Sequence, residues 1–233
     1  MRKCFLAEYD SLEYCKSLEL QEKLRERKES NRDFDDFLLV LQHNPVFTIG
    51  KKGSKEDILA SEDFLQEEGI DVVNVKRGGE VTYHGPGQLV GYLHLNLIRA
   101  DLSVEQFVWN MEEVLIQLLN NYGIEGWRKE GYPGVWINYQ ARKWKIAAIG
   151  ARASKKITSH GLALNVNTNM DHFQMIVPCG ITEFSPISMK QVLKKTLDIT
   201  EIYSKFEQLF EKVFEMKLEK IERDKLEEMI NYA

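Results

Sequence analysis

Residues 77–97 read RGGEVTYHGPGQLVGYLHLNL, and the architecture turns on the segment just after the glycines. Gly78, Gly79, Gly85 and Gly87, with Pro86, crowd around a short strand-like run, Glu80–Val81–Thr82–Tyr83. A hairpin corner accounts for one or two such glycines. Four of them, with Arg77 and His84 alongside, point to backbone shaped for close approach to a ligand. Gly85, Gly87 and Gly91 invite a nucleotide reading, but their spacing is GxGxxxG, not GxGxxG. The adjoining Gln88–Leu97 alternates like a strand and supplies no helix N-terminus to hold a phosphate. No P-loop pattern occurs either, so phosphate binding by these motifs is rejected.

Working outward, Phe37–Gln42 (FLLVLQ) is a buried strand ended by His43–Asn44–Pro45. Ile70–Val75, Gly134–Asn138, Arg142–Ala151 and Ile157–Val166 read as further strands. Asp10–Ser11–Leu12–Glu13 resembles a capping box opening a helix to about Arg27, with a polar loop over Arg27–Asp36. Ser61–Glu68 is a short helix. Ser103 with Gln106 caps a longer one, in which Val104, Phe107, Val108, Met111, Val114, Leu115, Leu118 and Leu119 fall at helical spacing before Gly123. The C-terminal part is helical, with Ile202, Phe206, Leu209, Phe210 and Val213 as its buried face. Strands and helices mix without a βαβ rhythm. The expected fold is α+β, a single domain over residues 1–215 with a mixed sheet flanked by helices, and a helical tail over 216–233.

Composition narrows the function classes. A net charge of −5 argues against a general nucleic-acid binder, and 43% hydrophobic residues suffice for a core. No apolar run approaches eighteen residues, and the N-terminal MRKCFLAEYDSLEYCKS meets Glu8 and Asp10 before any signal-like apolar region forms. A cytoplasmic protein without membrane partners is expected. Three scattered cysteines make no disulfide framework, and the cysteines and histidines show no zinc-ligand spacing, so neither metal nor cofactor is expected.

Cys179, in Ile176–Val177–Pro178–Cys179–Gly180–Ile181, stands between residues that disfavour a regular buried element, whereas Cys4 and Cys15 suit buried small hydrophobes. A nucleophilic cysteine needs a partner that favours thiolate. His84 and His160, each before a glycine, are candidate bases. Lys145, in WKIAAIG, is a third: on an alternating strand it shares a face with Ala147 and Ile149. An exposed lysine is the commoner case, but partial burial would lower its pKa. Arg142, Lys143, Arg152, Lys155 and Lys156 cluster in sequence, either as a docking surface or as solvated loop.

Taken in order, RGGEVTYHGPGQLVGY, GVWIN, KIAAIG, SHGLALNVN and IVPCGI closely resemble the lipoyl(octanoyl) transferases of the biotin and lipoate protein ligase superfamily. The resemblance runs from about His43 to Ile187. His43–Asn44–Pro45 departs from it, with asparagine where a second proline is frequent. It implies a biotin/lipoate protein ligase-like fold with a largely antiparallel mixed sheet. It also implies transfer of an octanoyl group from octanoyl-acyl carrier protein to a lysine of lipoyl domains, those of 2-oxoacid dehydrogenase complexes and the glycine cleavage H protein. Carried over block by block, the acyl group sits on Cys179 with Lys145 as its catalytic partner. Substrate contacts fall on Arg77, Gly78, Gly79, Glu80, Val81, Thr82, Tyr83 and His84, on Ala148, Ile149 and Gly150, and on Gly161, Leu162 and Ala163.

Overall fold

In the computed structural model, which describes residues 1–177 and 185–231, the chain opens on an alternating strand. Arg2–Leu12 (β1) sends Cys4 and Leu6 into one apolar cluster and Ala7 and Tyr9 into another, on opposite faces of a sheet. The expected capping box at Asp10–Glu13 therefore does not form. Asp10 to Leu12 complete β1, and the first helix, α1 (Tyr14–Ser30), begins with no side-chain bond at Glu13. Pairing along both edges of β1, with Asp36–His43 and Met216–Lys220, outweighs the local helix signal.

Onward come β2 (Asp36–His43), β3 (Val46–Ile49), α2 (Glu62–Glu67), β4 (Asp71–Asn74), β5 (Val81–His84), β6 (Gln88–His94) and α3 (Val104–Asn120). The chain continues through β7 (Gly126–Arg128), β8 (Gly134–Tyr139), β9 (Arg142–Ile149), β10 (Arg152–Ser154), β11 (Ile157–Ser159), β12 (Gly161–Asn165) and β13 (Ser185–Pro186). It closes with α4 (Met189–Leu193), α5 (Ile199–Phe214), β14 (Met216–Lys220) and α6 (Arg223–Asn231). The main sheet is ordered β14-β1-β2-β6-β12-β9-β8-β7, with β13 added beside β9. Along that order β1 is parallel to β14 and β2, and every other neighbouring pair is antiparallel. A mixed, largely antiparallel sheet flanked by helices is the expected α+β class.

The two faces of the sheet are covered differently. On one, α3 and α5 bury Phe107, Met111, Leu115, Ile202, Phe206 and Phe210 in the largest apolar cluster. Ser103 caps α3 by accepting from the Gln106 N–H at 3.0 Å, as the sequence predicts, though Val104 stands exposed. The other face carries α1, α6 and a small sheet, β4-β3-β5, whose own core holds Phe47, Tyr83 and Phe173. This second face carries the pocket.

Several boundaries differ from the expectation. The strand expected over Ile157–Val166 is broken at His160, whose φ of +57° ends the β10–β11 hairpin and lets β12 enter the sheet. The tail after 215 begins as a strand and not a helix: β14 pairs in parallel with β1, and only then does α6 form. Cys4 is buried as expected, but Cys15 is exposed, because α1 buries Tyr14, Ser17, Gln21, Leu24 and Lys28 instead. Among the described residues, no helix is long and apolar enough to cross a membrane.

Candidate active site

Strand register builds the floor of the site. Ala148 of β9 pairs with Ala163 of β12, which pairs with Val90 of β6; one row along, Gly161 pairs with Tyr92. Side chains of paired residues share a face. Between Lys145 on β9 and Asn165 on β12, the pocket side of these two strands and the residue after β9 therefore carries Ala148, Gly150, Gly161 and Ala163. Larger side chains return at β6 with Val90 and Tyr92. The result is a trough floored by residues with one carbon or none. At Gly161 the small residue is obligatory for a second reason: a Cβ there would run into the Gly91 carbonyl oxygen.

A bulge places Lys145. Between β8 and β9, Val135 pairs with Ala147 but Trp136 pairs with Lys145, so Ile146 is the extra residue. Strict alternation predicts Lys145 on the same face as Ala147 and Ile149. The bulge reverses this: Ala147 points into the α3 cluster, and Lys145 shares the pocket side with Ala148. The Lys145 ammonium sits half-buried, 5.2 Å from the centre of the Trp136 ring. Nearby, Glu112 accepts from the Gly134 N–H at 2.9 Å, and Arg128 lies 3.2 Å away. Burial raises the Glu112 pKa while the Gly134 N–H, Arg128 and Lys145 oppose the rise. Lys145 thus stands in the field of a buried carboxylate.

The roof is the Arg77–His84 segment. Arg77 is buried, and its guanidinium donates to the Thr48 carbonyl (2.7 Å), the Thr48 hydroxyl (2.8 Å) and the carbonyls of Gly78 (2.9 Å) and Glu80 (2.8 Å). These bonds tie the glycine loop to β3. Roof and floor enclose a narrow trough that is open at one end.

At the inner end, beneath the Arg77 guanidinium, the histidines and tyrosines are neutral. His43 Nδ1–H donates to the Leu12 carbonyl at 2.7 Å, which leaves Nε2 to accept from the Tyr92 hydroxyl at 2.7 Å. Gln88 donates its amide N–H groups to Asn165 and to the Tyr83 carbonyl, so its Oε1 accepts from His84 Nδ1–H at 2.7 Å. Burial pushes the pKa of His43 down to about 4 and that of His84 to about 3, the latter aided by His43. His160 is lowered to about 4 by burial and by Arg77. Burial pushes the Tyr14 phenol up to about 12. The trough floor is thus lined by uncharged groups from Ala148 to Tyr14, with a cation at its mouth.

Of the residues expected to contact substrate, Arg77, Gly78, Gly79, Val81, Thr82, His84, Ala148, Ile149, Gly150, Gly161, Leu162 and Ala163 line this one pocket together with Lys145. Glu80 and Tyr83 do not. Glu80 contributes its carbonyl to Arg77, and Tyr83 turns into the small-sheet core against Phe47 and Phe173. Cys179 and Gly180 lie outside the described residues. The basic residues do not form one patch: Arg142 and Lys143 open β9, while Arg152, Lys155 and Lys156 lie beyond its far end, with Lys155 paired to Glu29 at 2.9 Å. Tyr14 and Tyr92 line the pocket without a place among the expected contacts. Tyr92 lies in the quoted glycine stretch, whereas Tyr14 enters from α1 and nothing local marks it.

Residues 13–211 match the family described as the lipoyl protein ligase A/B catalytic domain. The octanoyltransferase of Caldicellulosiruptor saccharolyticus is 43% identical over 229 residues, covering 97% of this chain and 94% of the relative. That of Clostridium kluyveri is 43% identical over 223 residues, covering 95% and 93%. Among solved structures, lipoate-protein ligase A bound with ATP aligns with a TM-score of 0.72 at 16% identity, covering 99% of this chain and 93% of that one. A bi-partite lipoate protein ligase from Thermoplasma acidophilum aligns at 0.70 and 15%, covering 98% and 90%. At such identities the structural likeness bears on the fold alone.

Proposed function

This chain belongs to the lipoyl protein ligase A/B catalytic family, and from that premise we propose that it is an octanoyltransferase of protein lipoylation. It takes an octanoyl group from octanoyl-acyl carrier protein, holds it as a thioester on Cys179, and delivers it to a lysine of lipoyl domains in the cytoplasm. The acceptors are the lipoyl domains of 2-oxoacid dehydrogenase complexes and the glycine cleavage H protein. The observation that supports this best is the trough itself: an uncharged floor of alanine and glycine with Lys145 at its mouth suits a neutral aliphatic chain whose reactive carbonyl ends beside a proton carrier.

The two half-reactions balance without a nucleotide. The Cys179 thiolate attacks the carrier thioester carbonyl; the carrier C–S bond breaks, and the departing pantetheine thiolate takes a proton from the Lys145 ammonium. The acceptor lysine amine then attacks the Cys179 thioester and gives a proton to neutral Lys145, and Cys179 leaves as thiolate. Thioester exchange is nearly isoenergetic and amide formation from a thioester is downhill, so no activation by ATP is needed.

Intact mass decides the reading. Incubation with octanoyl-acyl carrier protein should add one octanoyl unit to the wild-type chain and none to Cys179→Ala. Adding a lipoyl domain should then move that unit to the domain without ATP. An adduct that persists in Cys179→Ala, or transfer that requires ATP, would overturn it.

A further inference from the structure

The trough has an end, and the end comes from an element outside the five sequence blocks. Its floor crosses β9 and β12 over Ala148 and Ala163, and stops at β6, where Tyr92 rises from the row of Gly161. Above Tyr92 stands Tyr14, the first residue of α1, only 3% exposed. The Tyr14 ring stacks on His84 at 5.8 Å between centres and tilts against His43 at 4.9 Å, and the two imidazoles meet each other at 5.6 Å, so the ring is backed by a contiguous histidine pair. Tyr92 is anchored in turn by its hydrogen bond to His43. From β9 to β6 is two inter-strand steps, roughly 10 Å across the sheet, and Tyr92 stands two residues further along β6 than Val90, the partner of Ala163. Lys145 stands on the β9 side, away from the tyrosines.

We propose that Tyr14, backed by Tyr92, is the end wall that limits the length of the acyl chain this protein transfers. The inference rests on the trough being the acyl site, and it names the residue that sets the site's specificity. A buried ring backed by two packed imidazoles does not yield to extra methylenes, so longer chains leave their carbonyl short of the reacting position. Shortening the ring lengthens the trough and leaves the chemistry at the Lys145 end in place.

The test compares transfer to a lipoyl domain from octanoyl, decanoyl and dodecanoyl carrier protein by wild type, Tyr14→Phe, Tyr14→Leu and Tyr14→Ala. Wild type and Tyr14→Phe should favour octanoyl alike, because both keep the ring. In Tyr14→Ala the dodecanoyl-to-octanoyl ratio of kcat/KM should rise on the order of tenfold or more, with Tyr14→Leu intermediate. Reading a ratio removes any general loss of folded protein, and Tyr14→Leu serves if the alanine variant does not fold. Ratios unchanged in both shortened variants would overturn the wall. A wild type that transfers no octanoyl group would instead overturn the acyltransferase reading on which it rests.

Discussion

At Gly134 the backbone holds φ at +133°, and a Cβ there would meet the Ala147 carbonyl oxygen and stand 2.7 Å from Cε of Lys145. Gly134 faces Ala148 across the strands and donates to Glu112, so one residue shapes the floor, the lysine and its carboxylate neighbour. Gly134→Ala should displace Lys145 and reduce octanoyl transfer by about a hundredfold, the scale of loss that accompanies an ångström of misplacement. The assay is run well below the melting temperature; a destabilised variant that keeps full transfer would remove Gly134 from positioning Lys145. Residue identity was legible here and orientation was not. Period-two alternation assigns Lys145 to the face of Ala147, and the single extra residue Ile146 sends it to the other. His84 shows the same divide. The sequence nominates it as a base, but in the fold its Nδ1–H is held by Gln88 and its burial keeps it neutral.

The element that the sequence conveys least is α1. Its buried positions Tyr14, Ser17, Gln21, Leu24 and Lys28 have helical spacing, but only one is aliphatic, so no apolar stripe announces them. Leu24 joins the apolar cluster of the sheet face that α1 covers, and the others meet polar or aromatic groups there. Gln21 accepts from the His160 N–H at 2.9 Å, and buried Lys28 pairs with Asp36 at 2.7 Å. By contrast α3 was readable, because its partner is the apolar face and its leucines repeat accordingly. At the C-terminus β14 and α6 are read by sequence as one helical tail, yet Met216 pairs beside β1, and Ile221, Leu226 and Ile230 join the cluster under α1. Burial of four such side chains contributes on the order of 5 kcal/mol or more, comparable with the whole stability of a domain. A chain ending at residue 215 should therefore melt about 10 °C or more below the full chain. Equal midpoints in calorimetry would show the tail to be dispensable.

Across the whole molecule, four buried histidines share one electrostatic habit. Burial lowers His43 and His160 to about 4 and His84 and His94 to about 3, against an ordinary value near 6.5. The unfolded chain takes up these protons below about pH 6.5, whereas the folded one does not until about pH 4. In that window the unfolded state binds more protons, so stability falls as pH falls, on the order of 1 kcal/mol per pH unit for each histidine. Glu207, raised to about 7 mainly by burial and by Glu8, and Glu112, raised by burial, act in the opposite direction, but they are two groups against four. Urea midpoints measured at pH 7, 6 and 5 should drop at each step; a flat series would mean the histidines are charged or solvated in the folded protein.

Sequence by itself determined the class of fold, the strand identities around the glycine loop and most of the residues that gather at the trough, though not Tyr14 or Tyr92. Those depend on local period, on chain-bending glycines and on blocks of residues that occur in order. Tertiary structure alone decided which face Lys145 occupies, that β14 completes the sheet, and that Tyr14 closes the trough. Each of these is set by partners far away in the chain, through a bulge against β8, a parallel pairing with β1, and a helix laid across the sheet. Residues 77–97 specify a roof and a floor strand, but not the wall at which the floor stops.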